Sequence, residues 1–216
     1  MSPRVQTGLD RIARGDPDAL RELRGRRVGL CAHPASIDAQ LRHARFVLES
    51  AGVRVRALFG PEHGYGGEAQ DMIAVGEEKS AREDVPVYSL YGASEEELSP
   101  RAEQLEDLDA VVIDLQDVGS RYYTFVWTAV LVLRAAVRAG VQTIVLDRPN
   151  PLGGVVLEGA PQRPGYRSFV GLRDVAVRHG MTIGELCRMA QLEEKLDAEA
   201  LRVVPMLGYQ RELSFR

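Results

Sequence analysis

The segments 109–115 (DAVVIDL) and 141–147 (VQTIVLD) are apolar at nearly every position rather than at every second one. A strand of that kind has no face to offer to water, so it belongs in a sheet that is covered on both sides. Between the two runs lies the stretch 122–138, long and apolar enough for a buried helix and closed by Gly140. Strand, helix, strand in that order implies parallel pairing, because parallel neighbours need a crossover rather than a tight turn.

The same alternation extends on either side. The run 27–31 (RVGLC) precedes a stretch, 39–50, that places Leu41, Phe46, Val47 and Leu48 on a helical face. Ala51-Gly52 stops it, and 53–59 (VRVRALF) alternates with period two. Residues 85–92 (VPVYSLYG) read as a further strand, 95–105 as a charged helix, 182–192 as a helix and 201–205 as a last strand. The pattern predicts an α/β fold, a Rossmann-like, mostly parallel sheet with helices on both faces. Residues 1–26 form a helical lead-in to the domain at 27–192, and 193–216 begin a further region.

In open parallel sheets ligands bind outside the carboxyl ends of the strands. The polar and Gly-rich segments of this chain fall there: AHPAS, GPEHGYGGE, QDVGSRYYT and RPNPLGG. Four loops are thus expected on one rim.

Composition narrows the function. Net charge is −4 at a pI near 5.7, with no basic run, which argues against nucleic acid as a partner. All but two of the 27 basic residues are Arg. Cys31 and Cys187 lie far apart without metal-ligand spacing, and no HExxH pattern accompanies His63 or His179, so no metal is expected. Neither GxGxxG nor a Walker A sequence is present, and chemistry without a cofactor is the reading. The start of the chain has no apolar signal-like core and the longest apolar stretch is too short to span a bilayer; a cytoplasmic protein with no membrane partner is expected.

Within the rim, FGPEHGYGG presents Glu62 and His63 between a proline and four glycines. A carboxyl beside an imidazole on a shaped loop suits general acid/base work; equally, the segment is a tight turn whose Glu caps a helix. In DLQDVGSRYYT, Asp114 and Asp117 are candidates to orient Arg121 and to meet ligand, or Asp117 or Ser120 caps the following helix. Tyr123 serves as a sugar platform or as core. Asp147 and Arg148 point to opposite sides of a loop stiffened by two prolines, with Asn150 between them, as a ligand wall or a rigid turn. Thr182 and Glu185 have the spacing of a capping box, and His179 reads as a structural hydrogen bonder.

Five motifs in this order, FGPEHGYGG, VPVYSLYG, DLQDVGSRYYTF, VLDRPNPLGG and SFVGLRDVAVRHGMTIGEL, resemble the bacterial DUF1343 family of exo-β-N-acetylmuramidases over about residues 27–192. The resemblance implies a Rossmann-like N-terminal domain, a second C-terminal domain and a cleft between them that takes an amino-sugar or muropeptide substrate. It implies Glu62 as the leading catalytic carboxylate; glycoside hydrolysis usually needs a second carboxyl group, for which the choices here are Asp117, Glu158 and Glu185. His63, Arg121, Tyr123, Asp147, Arg148 and Asn150 match positions that line the pocket. The chain departs from the pattern at Arg134, where the resemblance implies a Glu, and it ends at Arg216, short of the second domain. A fragment, a short paralogue completed by a partner chain, and a protein that has lost activity are the three explanations. A non-catalytic amino-sugar-binding module is the alternative to a hydrolase.

Overall fold

The computed structural model describes residues 5–67, 85–92, 95–163 and 165–214. Six strands form one sheet: β1 (Arg27–Ala32), β2 (Arg54–Gly60), β3 (Val87–Ser89), β4 (Ala110–Asp114), β5 (Gln142–Leu146) and β6 (Leu201–Val204). Every neighbouring pair is parallel, in the order β3-β2-β1-β4-β5-β6. The sheet is therefore the Rossmann-like one expected, and its strand order reverses between β1 and β4.

The pleat divides each strand between two cores. Val28, Leu30 and Ala32 of β1, with Ala110 and Val112 of β4, face α1 (Gly8–Ala13), α2 (Pro17–Leu20) and α3 (Ala44–Ser50), where Leu9, Ile12, Leu20, Leu23 and Leu48 pack. Cys31, Val111 and Ile113 face the other way, against α5 (Phe125–Arg138) and α6 (Ile183–Glu193). Gly29 has no side chain because the Phe59 ring fills the space a Cβ would occupy. The lead-in thus shares a core with the strands: Gly8 N–H donates to Asp147 O at 2.9 Å, and Gln6 bridges Leu207. Among the described residues no helix is long and apolar enough to cross a membrane.

Helix boundaries depart from expectation where local chemistry competes. The stretch 39–50 is helical only from Ala44, because Asp38 gathers the amides of Gln40 and Arg42 and the Arg42 guanidinium into a turn, with Leu41 at φ 61°. The charged helix expected over 95–105 is two pieces, a 3₁₀ turn at Glu95–Leu98 and α4 (Ala102–Leu105), separated at Pro100, which lacks the amide a continuous helix needs. Helix α5 starts at Phe125 rather than 122 and buries 11 of its 14 residues. The capping box at Thr182 and Glu185 is present as predicted.

Candidate active site

The loops after β1, β2, β4 and β5 meet at the carboxyl edge of the sheet, around the first turn of α5. The loop after β2 turns tightly over residues 60–67. Gly60 lies so close to the returning chain that a Cβ would stand 2.1 Å from Tyr65 N. Pro61 O accepts the Gly64 amide at 2.8 Å, and His63 sits at φ 73°, a left-handed conformation that a non-glycine residue holds only under constraint. The result is a fixed platform. His63 is exposed on it, and Glu62 is half-buried beside α5, where its Oε2 accepts the Thr124 hydroxyl at 2.6 Å. Thr124 is the N-cap residue of α5 but makes no side-chain cap bond; its hydroxyl serves Glu62. Glu62 Oε1 has no hydrogen-bond partner among the described residues.

Asp117, in the loop after β4, is buried. Its Oδ2 accepts the Gly119 amide at 2.9 Å and faces His179 Nε2 at 3.2 Å, while Oδ1 is sealed from solvent without a partner. His179 Nδ1 accepts the Met181 amide, so in the neutral ring the hydrogen is on Nε2, which lies close to Asp117 without hydrogen-bond geometry. The Tyr123 phenol is raised above the ordinary tyrosine value by burial and then by the charges of Asp117 and Glu62. It packs on Phe125 at 4.6 Å between ring centres. Tyr123, Glu62 and Asp117 therefore share one neighbourhood at the start of α5.

The β5 loop behaves differently. Arg148 holds Asp114 in a two-pronged ion pair, Nε to Oδ1 at 2.6 Å and Nη2 to Oδ2 at 2.8 Å, and Nη2 also donates to Ile37 O. Asp147 turns to the opposite side, as its neighbour's placement requires, and accepts Thr182 Oγ1 at 2.8 Å and the Gly184 amide at 3.0 Å. Burial pushes its pKa up to about 6 against those bonds. It borders a cavity of about 320 Å³ lined also by Glu185, Arg188 and Tyr209. Asn150 bridges Met181 O and the Leu152 amide.

The match to a known family decides what this rim belongs to. Residues 28–216 fit the family described as "Exo-beta-N-acetylmuramidase NamZ, N-terminal". The chain belongs to this family. It is 42% identical over 214 residues, 99% of its length and 50% of the relative's, to the "Peptidoglycan beta-N-acetylmuramidase NamZ" of Bacillus subtilis strain 168. Two crystal structures of DUF1343 family proteins from Bacteroides fragilis NCTC 9343 superpose on it. One has a TM-score of 0.83 at 35% identity, covering 98% of this chain and 53% of the other; the second has 0.79 at 27%, covering 99% and 55%. The NamZ-type chain described here spans about half the length of these relatives.

Several residues of this NamZ N-terminal domain take up tasks that spacing alone did not assign. Arg121 is not oriented by Asp114 or Asp117; its Nη1 donates to Ala160 O and Val175 O, holding the 155–176 segment, and its guanidinium lies 5.3 Å from the Tyr122 ring centre. Neither Asp117 nor Ser120 caps α5, because the helix begins too late for either to reach its amides. Among the described residues Glu62 caps no helix of its own segment, and it meets Thr124 at the start of α5. Glu158 is exposed and paired with Arg178 at 2.7 Å. Arg134 stands beyond the second turn of α5, bonded by Nε and Nη2 to Glu194, so the position at which the resemblance implies a Glu lies away from the rim.

Two rim residues were absent from the sequence reading. Thr124 is a polar residue inside the apolar stretch 122–138, with nothing in its spacing to mark it. His33, in AHPAS, passed as part of a loop, yet it is buried against Phe125 and accepts the Gln116 amide on Nε2 at 3.1 Å. Burial, then Arg148 and His43, lower its pKa to about 4, so its ring is neutral. The one available signal was position: His33 directly follows a strand end at the place where the sheet order reverses.

Proposed function

We propose that this chain is the Rossmann-like half of an exo-β-N-acetylmuramidase, a glycoside hydrolase that releases terminal N-acetylmuramic acid from peptidoglycan fragments. The observation that carries the reading is Glu62, set on a strained, glycine-built platform with one carboxyl oxygen tied to Thr124 and the other without a partner among the described residues. A glycosidase needs such an oriented carboxyl group at the leaving oxygen. Glu62 donates its proton to the glycosidic oxygen as the bond from that oxygen to C1 breaks. Water then supplies the hydroxyl at C1 and returns a proton.

For the second carboxylate we favour Asp117 over Glu158. Asp117 shares the Tyr123 neighbourhood with Glu62 and has no partner for Oδ1 among the described residues, whereas Glu158 is exposed and engaged by Arg178. Tyr123 and His63 are proposed to contact the sugar. Arg121, Asp147, Arg148 and Asn150 shape the wall behind it through the bonds described above.

Hydrolysis of a chromogenic β-N-acetylmuramide tests this. Glu62→Gln is expected to lower turnover by about 10²–10⁴-fold, the usual contribution of a general acid, and Asp117→Asn by a comparable factor. Undiminished turnover in Glu62→Gln overturns the assignment. A fully active Asp117→Asn beside an inactive Glu158→Gln transfers the second role to Glu158. Saturable binding of N-acetylmuramic acid without turnover in the unmodified chain replaces the hydrolase by a binding module.

A further inference from the structure

The rim holds a hydrogen-bond donor that the proposed reaction does not use. His33 follows β1 and Gln116 follows β4, so the bond between them spans the two strands where the sheet order reverses. That crevice is where open parallel sheets receive ligands. A backbone amide only donates, so the 3.1 Å contact from Gln116 N–H requires His33 Nε2 to be the bare nitrogen. The neutral ring then carries its hydrogen on Nδ1. Nδ1 has no hydrogen-bond partner among the described residues, and it is not among the buried polar atoms cut off from solvent.

His33 is also held firmly. Its amide donates to Ser36 Oγ at 3.0 Å, and its carbonyl accepts the Ser36 amide at 2.9 Å and His43 Nε2 at 3.1 Å. His43 can donate from Nε2 because its Nδ1 accepts the Arg45 amide. The His33 ring stands edge-on to Phe125, 4.8 Å between centres and 79° between planes. Phe125 follows Thr124, whose hydroxyl donates to Glu62. The His33 donor and the Glu62 carboxylate thus flank the same first turn of α5, each on a rigid element, as a preorganised site demands.

Charge at this point selects the kind of acceptor. Arg148 is neutralised by the buried Asp114 carboxylate, and the His33 ring is itself uncharged. A crevice for phosphate would present net positive charge or a run of amides; among the described residues, what His33 offers here is a neutral N–H beside an Arg148 already paired.

We propose that His33 is a ligand-binding residue whose Nδ1–H donates to an uncharged oxygen, a hydroxyl or an acetamido carbonyl, of the sugar held at the start of α5. The identity of the ligand rests on the amino-sugar reading above; the donor itself does not. Multiple-bond ¹H–¹⁵N correlation of the labelled chain reads the tautomer directly. His33 is expected as the neutral Nδ1–H form between about pH 5.5 and 8. Addition of N-acetylmuramic acid, or of N-acetylglucosamine, which has the acetamido group without the lactyl acid, is expected to move the His33 Nδ1 resonance. Inorganic phosphate is expected to leave it in place. His33→Gln keeps an oxygen able to accept the Gln116 amide but loses the ring donor, and is expected to bind either sugar about three- to tenfold more weakly.

An Nε2–H tautomer, or a protonated ring at neutral pH, overturns the donor without any ligand being added. Calorimetric binding of the sugar with Nδ1 unmoved overturns the ligand contact alone, as does a response to phosphate but not to sugar. A sugar that fails to bind at all, with the Nδ1–H form present, overturns the amino-sugar reading and the ligand named here, while the pinned donor stands.

Discussion

On the β4–β5 side of the rim, Asp114, Arg148, Asp147 and Asn150 direct their side chains into the protein. On the β1–β2 side, Glu62 and His33 each use one hydrogen-bonding atom to fix the side chain and leave the other unpaired among the described residues. Both sides use the same residue chemistry, carboxylates beside basic groups on strand-end loops. What separates them is how completely the hydrogen-bonding capacity is met. A satisfied group is a brace, and a group with one remaining donor or acceptor is able to meet a ligand. The braced side keeps the geometry of the open side constant, which oriented catalysis requires.

The largest test of the contrast removes the main brace. Arg148→Met leaves the fully buried Asp114 carboxylate without its partner, and the loss of stability is expected at about 3–5 kcal/mol, read as a fall in the urea midpoint at constant slope. A shift under about 1 kcal/mol would show that water reaches Asp114 and that the pair is no brace.

The second test uses pH, because the two sides respond with opposite sign. Asp147 has a folded pKa of about 6 against an ordinary 3.8, so its contribution to stability is present below pH 4 and lost as pH rises through 6. His33 has a folded pKa of about 4 against 6.5, so its contribution is present above pH 6.5 and lost as pH falls toward 4. Each is worth on the order of 2–3 kcal/mol across its window. The wild type is thus expected to show a shallow profile between pH 4 and 6.5. Asp147→Asn should steepen the rise with pH, and His33→Gln should reverse it to a fall. Parallel profiles for all three proteins in thermal melts would dissolve the opposition.

The smallest effect belongs to Thr124→Val, which removes the hydroxyl that orients Glu62. Stability should change by no more than about 1 kcal/mol, while turnover of the chromogenic substrate falls about tenfold with KM little altered. Equal losses in kcat and KM terms, or none, would assign Thr124 to packing alone.

Much of the scaffold was legible because burial writes itself into apolar periodicity. The runs at 109–115 and 141–147 placed β4 and β5, and the polar segments after the strands located the rim. Where local side chains compete with helix formation, periodicity misled, as at Asp38, which winds 38–42 into a turn, and at Pro100, which divides the segment at 95–105. The site was legible by residue type but not by partner. Spacing offers Asp114 the guanidinium of Arg121, seven positions on, whereas in the fold it pairs with Arg148, in the loop after the neighbouring strand. Only the parallel pairing of β4 with β5 brings those two together. Thr124 and His33 escaped for the same reason: a hydroxyl inside an apolar run and an imidazole in a loop gain meaning only from Glu62 and Gln116, which arrive from other strands.

The contact between Gly8 and the β5 end has a consequence for the order of assembly. A Cβ at position 8 would stand 2.7 Å from the Leu146 backbone, so this close seat of α1 exists only once β5 is made, and the Gln6–Leu207 bridge draws on a residue made later still. During synthesis, the first helix therefore waits for a partner about 140 residues downstream. Until then Leu9 and Ile12 have only the nearby part of their core, such as Val28, Leu30, Val47 and Leu48, and lack the cover that Ile144 and Leu146 of β5 provide. Long-range closure of this kind slows folding and lengthens exposure to aggregation, which makes the earliest-made segment one of the last to be secured.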